Sequence, residues 1–160
     1  MAIEVGDKIP EVTLRIKGTK GVETITTEDV FKGKKVAIFG VPGAFTPTWT
    51  NKHLPGYVQY SDELKSKGIG TIACLSVNDA FVMAAWGDTC GVQDKVTMLG
   101  DGNGELAAAL GLELDGSGSG LGTRIQRFSA IVHDGIVTTL NIEAPGTFEV
   151  SNAETMLNQL

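Results

Sequence analysis

The chain has 160 residues, 42% of them hydrophobic, which is enough for one domain with a real core and too apolar for a disordered tail. It carries 13 basic and 19 acidic side chains, a net charge of −6, and no basic cluster, so it is a poor partner for nucleic acid or an anionic membrane. Its two cysteines, Cys74 and Cys90, are too few for a disulfide scaffold and too far apart for a C-x-x-C or zinc spacing.

Residues 12–16 alternate apolar and polar side chains, a turn follows at 17–21, and residues 22–25 return as the second arm of a hairpin. Thr26, Thr27, Glu28 and Asp29 signal the start of a short helix that stops near Gly33. Residues 35–41 form a continuous apolar run of strand length, the pattern of a strand buried on both faces. A loop with Pro42, Gly43 and Pro47 leads into a helical stretch to Lys67, interrupted at Pro55-Gly56 and closed by Gly68. Residues 71–77 read as a second buried strand, and Asn78 and Asp79 cap a helix through Trp86. A short strand at 96–99 and a short helix at 105–110 follow. Residues 116–120, Gly-Ser-Gly-Ser-Gly, lack the strand-to-helix context of a phosphate loop and read as a flexible surface loop. Strands at 126–132 and 136–142 are joined by Asp134-Gly135, the best short hairpin signal in the chain. Residues 151–160 read as a terminal helix with Ser151 as cap and Glu154 completing a capping box. Alternating buried strands and helices predict a parallel core, and the final hairpin adds an antiparallel edge. The expectation is an α/β, thioredoxin-like fold, a central mixed β-sheet flanked by helices, in a single domain over residues 1–160.

Residues 1–7 are acidic and lack the apolar core of a leader, and no apolar run approaches the ~20 residues of a membrane helix. The expectation is a cytoplasmic protein, with a mature organellar form left open. His53 and His133 have no third partner in the sequence, so neither a metal nor a cofactor is expected. His53, beside Leu54-Pro55-Gly56, reads as shaping the helix break, and His133, before the Asp134-Gly135 turn, as exposed. Trp86 reads as core or interface packing.

The segment from Val41 to Gly56 carries the chemistry. It leaves the carboxyl end of a buried strand and enters a helix, where ligand sites of open α/β sheets lie. Pro47 is expected in or near the first helical turn. The free N–H groups of that turn favour an anion, a thiolate or a partly negative oxygen. Thr46 and Thr48 add hydroxyls. The setting suits an anionic nucleophile, yet no cysteine, aspartate or glutamate stands there.

Pro-Gly-Ala-Phe-Thr-Pro-Thr at 42–48, followed by His-Leu-Pro-Gly at 53–56, resembles the active-site segment of type II, peroxiredoxin-5-like peroxiredoxins. The resemblance continues at Ser76-Val77-Asn78-Asp79, at Gly120-Leu121-Gly122-Thr123-Arg124, at Arg127-Phe128 and at Leu140-Asn141-Ile142-Glu143, and so covers essentially the whole chain. It implies homodimers that reduce hydrogen peroxide and alkyl hydroperoxides, with thioredoxin or glutaredoxin and glutathione as reductant. In the family pattern the residue after Pro-Thr is the peroxidatic cysteine, and here it is Trp49. The resemblance assigns Pro42 to shielding the site, Thr46 to a hydrogen bond with the peroxide, and Arg124 to lowering the thiol pKa. Cys74 matches a second, resolving cysteine of plant-type members, but it has no partner at position 49 and reads as a small core side chain. Cys90 reads as a helix-end cysteine.

An indole offers no nucleophile comparable to a thiolate, so the chain is expected to be an inactive Cys→Trp variant at this position. An engineered replacement is the preferred origin. The alternative is a natural pseudo-peroxidase acting as a dimeric binding or interaction module. Overpacking a tight site costs ~1–3 kcal/mol, so Trp49 is expected to strain and loosen residues 42–54 and to perturb a nearby dimer contact. A thioredoxin-fold binding protein with no redox chemistry would carry Thr46, Arg124 and the Pro-Gly-Ala-Phe-Thr-Pro-Thr run by coincidence.

Overall fold

The computed structural model of the chain describes every residue except Thr48. In chain order the first half comprises β1 (Thr13–Gly18), β2 (Gly21–Thr26), α1 (Thr27–Phe31), β3 (Lys35–Gly40), α2 (Thr50–Gln59), α3 (Ser61–Ser66) and β4 (Thr71–Ser76). The second half comprises α4 (Ala80–Thr89), β5 (Thr97–Gly100), α5 (Glu105–Leu110), β6 (Glu113–Asp115), β7 (Thr123–Ile125), β8 (Phe128–His133), β9 (Ile136–Ile142) and α6 (Ala153–Asn158).

The main sheet has the order β2-β1-β5-β4-β3-β8-β9. Its centre is parallel, β3 with β4 and β4 with β5, while the β1–β2 and β8–β9 hairpins are antiparallel. This is the mixed thioredoxin-like sheet the alternation predicts. Side chains on β3 alternate between faces, as the two-residue period of a strand requires. Val36 and Ile38 join Leu14, Leu75, Phe128 and the apolar sides of α1 and α5 in one core. Ala37 and Phe39 join Leu54, Tyr57, Cys74, Met83, Trp86 and Met156, from α2, α4, α6 and β4, in the other. The site described below lies on this second face, where β3 hands over to α2.

Several local expectations are corrected. The helical stretch is not interrupted at Pro55-Gly56: α2 runs through Pro55, and the break comes at Tyr60. A proline inside a helix costs ~3 kcal/mol, but Leu54 and Tyr57 on either side of it are fully buried. Each contributes roughly 1.5–3 kcal/mol by burial, so packing outweighs the lost hydrogen bond. Pro47 lies near the first helical turn, just ahead of it, as expected. The N-cap of α6 is Asn152, whose side chain accepts from Thr155 N–H, in place of the expected Ser151–Glu154 box. Helix α4 extends past Trp86 to Thr89, with Cys90 as its C-cap. Residues 117–119 form one 3₁₀ turn, and β6 and β7 form a small second sheet that the sequence reading lacked. His133 is exposed and Trp86 is core, as expected. Among the described residues no helix is long and apolar enough to cross a membrane.

Candidate active site

The loop leaving β3 is tied to the end of β4 before it reaches α2. The Ser76 hydroxyl lies 3.0 Å from the Val41 carbonyl and 2.7 Å from Asn78 Oδ1. Asn78 Oδ1 in turn accepts from the Ala44 N–H at 3.0 Å. Phe45, next along, has φ +64° and is 51% exposed. A bulky residue in the left-handed region is strained, so the anchored neighbours impose this turn on it.

Thr46 Oγ1 lies 2.7 Å from the Gly43 carbonyl and 2.8 Å from Thr50 Oγ1. Thr50 is fully buried and accepts from Nη2 of Arg127 at 2.7 Å. One proton per hydroxyl then orders the row: Arg127 donates to Thr50, Thr50 to Thr46, and Thr46 to Gly43. The structure thus brings Thr46 together with a guanidinium at the start of α2. That guanidinium belongs to Arg127. Arg124 donates to backbone carbonyls, through Nε to Leu121 at 2.9 Å and through Nη1 to Pro42 at 3.3 Å. It lies beside the same loop, since a side chain on Gly43 would meet Arg124 Nη1 at 2.9 Å.

Trp49 immediately precedes α2 with φ −70° and ψ −32°, and its carbonyl accepts from the Lys52 and His53 N–H groups at 3.0 and 2.8 Å. At Trp49 itself the backbone is helical and the first turn is closed, and the strained residue of the 42–54 segment is Phe45. The indole is half-buried. Its Nε1 donates to the Gly146 carbonyl at 3.1 Å, its ring stands 5.8 Å from that of Phe148, and Lys52 Nζ lies 5.4 Å from its centroid. A large side chain fits because the groove between α2 and residues 144–150 receives it.

Behind the threonines lies a polar cluster that the sequence reading missed. Arg127 Nη1 lies 3.0 Å from His53 Nδ1, and His53 Nε2 lies 3.0 Å from the Ser151 carbonyl. The Tyr57 hydroxyl donates to that same carbonyl at 2.9 Å. His53 is fully buried. Burial, and then the positive Arg127, push its pKa down to about 3, so it is neutral at physiological pH. Burial lowers Arg127 to about 10, with Glu143 opposing, which leaves it charged. Burial also works against the Glu143 carboxylate. The Ser151 hydroxyl and the N–H groups of Glu149, Val150 and Ser151 outweigh it and hold the group at about 2. The sequence signal that was available is the spacing of Thr50 and His53: polar residues three apart share one face of a helix, and here it is the face of buried Leu54 and Tyr57.

Cys74 is fully buried on β4, opposite Phe39, and burial pushes its thiol up, so it stays protonated. Cys90 is partly exposed and is likewise raised by burial. Among the described residues no three His, Cys, Asp or Glu side chains group as a metal site requires. The site therefore offers a charged fork, two ordered hydroxyls and a helix start, a setting that stabilises negative charge on a small ligand or nucleophile. The residue at its mouth is an indole.

Comparison with known proteins gives a consistent picture. The Redoxin family model matches residues 4–157. Peroxiredoxin-2E, chloroplastic, of Arabidopsis thaliana is 50% identical over 163 residues, covering 99% of this chain and 70% of that protein. The solved structure of reduced Prx3 in complex with hydrogen peroxide from Vibrio vulnificus is 50% identical, with a TM-score of 0.94 and 98% of each chain covered. That of peroxiredoxin 5 from Alvinella pompejana is 37% identical, with a TM-score of 0.86, covering 98% of this chain and 96% of that one.

Proposed function

The chain belongs to the Redoxin family, and from that premise we propose that it is a type II peroxiredoxin scaffold whose nucleophile is replaced by Trp49, leaving it inactive as a peroxidase. The observation that carries this is position 49 itself. It stands at the entrance to α2, in the turn where Thr46 is bonded to Thr50 and Thr50 accepts from Arg127. A cysteine in that position would have its thiolate favoured by the helix start and the guanidinium. It would attack the O–O bond of hydrogen peroxide or an alkyl hydroperoxide, take one oxygen as sulfenic acid and release water or alcohol. Thioredoxin, or glutaredoxin with glutathione, would then return it to the thiol. Thr46 would hydrogen-bond the peroxide. Pro42 would shield the site, with Arg124 holding its carbonyl. Arg127 donates to Thr50 in the first turn of α2. Cys74, protonated and enclosed, supports no resolving role here.

The test is peroxide turnover by the native chain and by Trp49→Cys with thioredoxin or glutaredoxin as reductant. The native chain is expected at background and the variant well above it. Equal turnover by both would reject the reading.

The second reading, a natural binding or interaction module that kept the dimer, is favoured by the fit of Trp49, whose backbone is relaxed and whose N–H is satisfied. Homodimer formation is supported by two exposed aromatic side chains near the start of α4. Phe45 is 51% exposed beside Ala44, which is bonded to Asn78, and Phe81 is 63% exposed in the first turn of α4. Cytoplasmic residence remains our proposal. Cell fractionation tests it, and recovery from an organelle would overturn it.

A further inference from the structure

We propose that Trp49 is a latch that joins the first turn of α2 to the 144–151 segment, so that the two open and close as one unit. The α2 end of the latch is the indole. Its Nε1 donates to the Gly146 carbonyl at 3.1 Å and its ring packs 5.8 Å from Phe148. The far end is anchored by hydrogen bonds, although Gly146, Glu149 and Val150 are all exposed. The cause is buried Glu143, whose carboxylate accepts from Thr147 Oγ1 at 3.0 Å, from the Glu149 and Val150 N–H groups at 2.9 Å, and from both the N–H and the hydroxyl of Ser151 at 2.8 and 2.6 Å.

Phe148 is the common contact. Besides Trp49 it stands 4.9 Å from the His53 ring and 5.8 Å from the Arg127 guanidinium carbon. An opening of α2's first turn that carries Trp49 away therefore removes packing from the ring that covers His53 and Arg127. Conversely, release of residues 144–151 takes away the carbonyl and the ring that hold the indole. Trp49, the N-cap of α2, makes no side-chain hydrogen bond to the helix backbone, and its indole reaches across to the 144–151 segment instead. The indole thus ties the first residue of that turn to a carbonyl 97 residues away in sequence, ahead of the His53 and Tyr57 bonds to the Ser151 carbonyl further along α2. This inference rests on the contacts of Trp49, Phe148 and Glu143 and stands whether or not the chain is a peroxidase.

The test is amide hydrogen exchange on the native chain, Trp49→Phe, Trp49→Ala and Phe148→Ala, with circular dichroism as the check on folding. Trp49→Ala is expected to speed exchange about tenfold in residues 50–54 and in residues 144–151 together, with the β3 and β4 amides unchanged. Trp49→Phe keeps a ring but no donor and is expected to fall between. Phe148→Ala is expected to loosen α2's first turn although α2 is unaltered, and to shift the Trp49 emission to the red against the constant, buried Trp86. Unchanged exchange in Trp49→Ala, or loosening of one segment without the other, would overturn the latch. If Trp49→Ala does not fold, the Phe148→Ala result decides: an unchanged α2 would overturn it.

Discussion

The Arg127 guanidinium donates to Nδ1 of His53 across 3.0 Å, and this bond assigns the proton on the imidazole. A guanidinium has no acceptor, so Nδ1 must carry the lone pair. The single N–H of the neutral ring is then on Nε2, pointing at the Ser151 carbonyl 3.0 Å away. His53 is thereby fixed as a neutral link between a cation and a carbonyl, and it aligns Arg127 toward Thr50.

This link makes stability depend on pH. The folded pKa of His53, about 3, lies below its ordinary value of 6.5. Between those two values the unfolded chain binds a proton that the folded chain refuses, so stability is full above pH 6.5 and falls as pH falls. One such group contributes a slope of about 1.4 kcal/mol per pH unit. Urea unfolding free energies are expected to hold steady from pH 7.5 to 6.5 and then to decline toward this slope by pH 5, and His53→Gln to flatten the profile. An equally steep profile in the variant would remove His53 from the account.

Arg127 and Arg124 are distinguishable in the Trp49→Cys background. Removal of a positioned donor from a developing charge typically costs 10²–10³ in rate. Arg127→Lys keeps the charge but loses the fork that spans Thr50 and His53, and about a hundredfold fall in kcat/KM is expected. Arg124→Lys is expected to cost less, because its contacts are to carbonyls that other donors or water can satisfy. Stopped-flow peroxide reduction measures both, and a larger loss at Arg124 would reverse the assignment.

Glu143→Gln is expected to destabilise the fold by about 2–4 kcal/mol, because buried donors lose a charged acceptor. The Ser151 N–H and hydroxyl are the most affected, since both point at one carboxylate oxygen. Denaturant unfolding measures this, and a change under 0.5 kcal/mol, the range of ordinary surface substitutions, would show that the segment is held by other contacts.

The two thiols are expected to differ. Cys90 is partly exposed at the end of α4, whereas Cys74 is enclosed in the sheet. A chromogenic thiol reagent is expected to label Cys90 alone in the native protein and both cysteines in denaturant. Fast labelling of Cys74 under native conditions would mean that the core around β4 opens readily.

Homodimer formation through the α4 face is expected to fail in the double variant Phe45→Ser, Phe81→Ser. Sedimentation should give a dimer for the native chain and a monomer for the variant. A native monomer would remove the dimer proposal, and a dimeric variant would move the interface elsewhere.

Much of the fold was legible because its signals are local. The apolar runs of β3 and β4, the Asp134-Gly135 turn and the alternation on β1 depend on neighbours within a few residues. The break wrongly expected at Pro55 shows the limit, since burial of Leu54 and Tyr57 against the sheet overrode a local breaker. The position of Trp49 was legible too, because the residues around it form a motif that marks it. What the sequence by itself determined is that a nucleophile-ready helix start carries an indole and that no thiol stands nearby in the chain. Only the tertiary structure decided where that indole goes and which arginine reaches the helix start. Those outcomes turn on Gly146, Phe148, Glu143 and Ser151, about a hundred residues downstream. Contacts at such separation leave no periodicity or spacing in the sequence, and they arise only when the sheet brings the end of β9 beside α2.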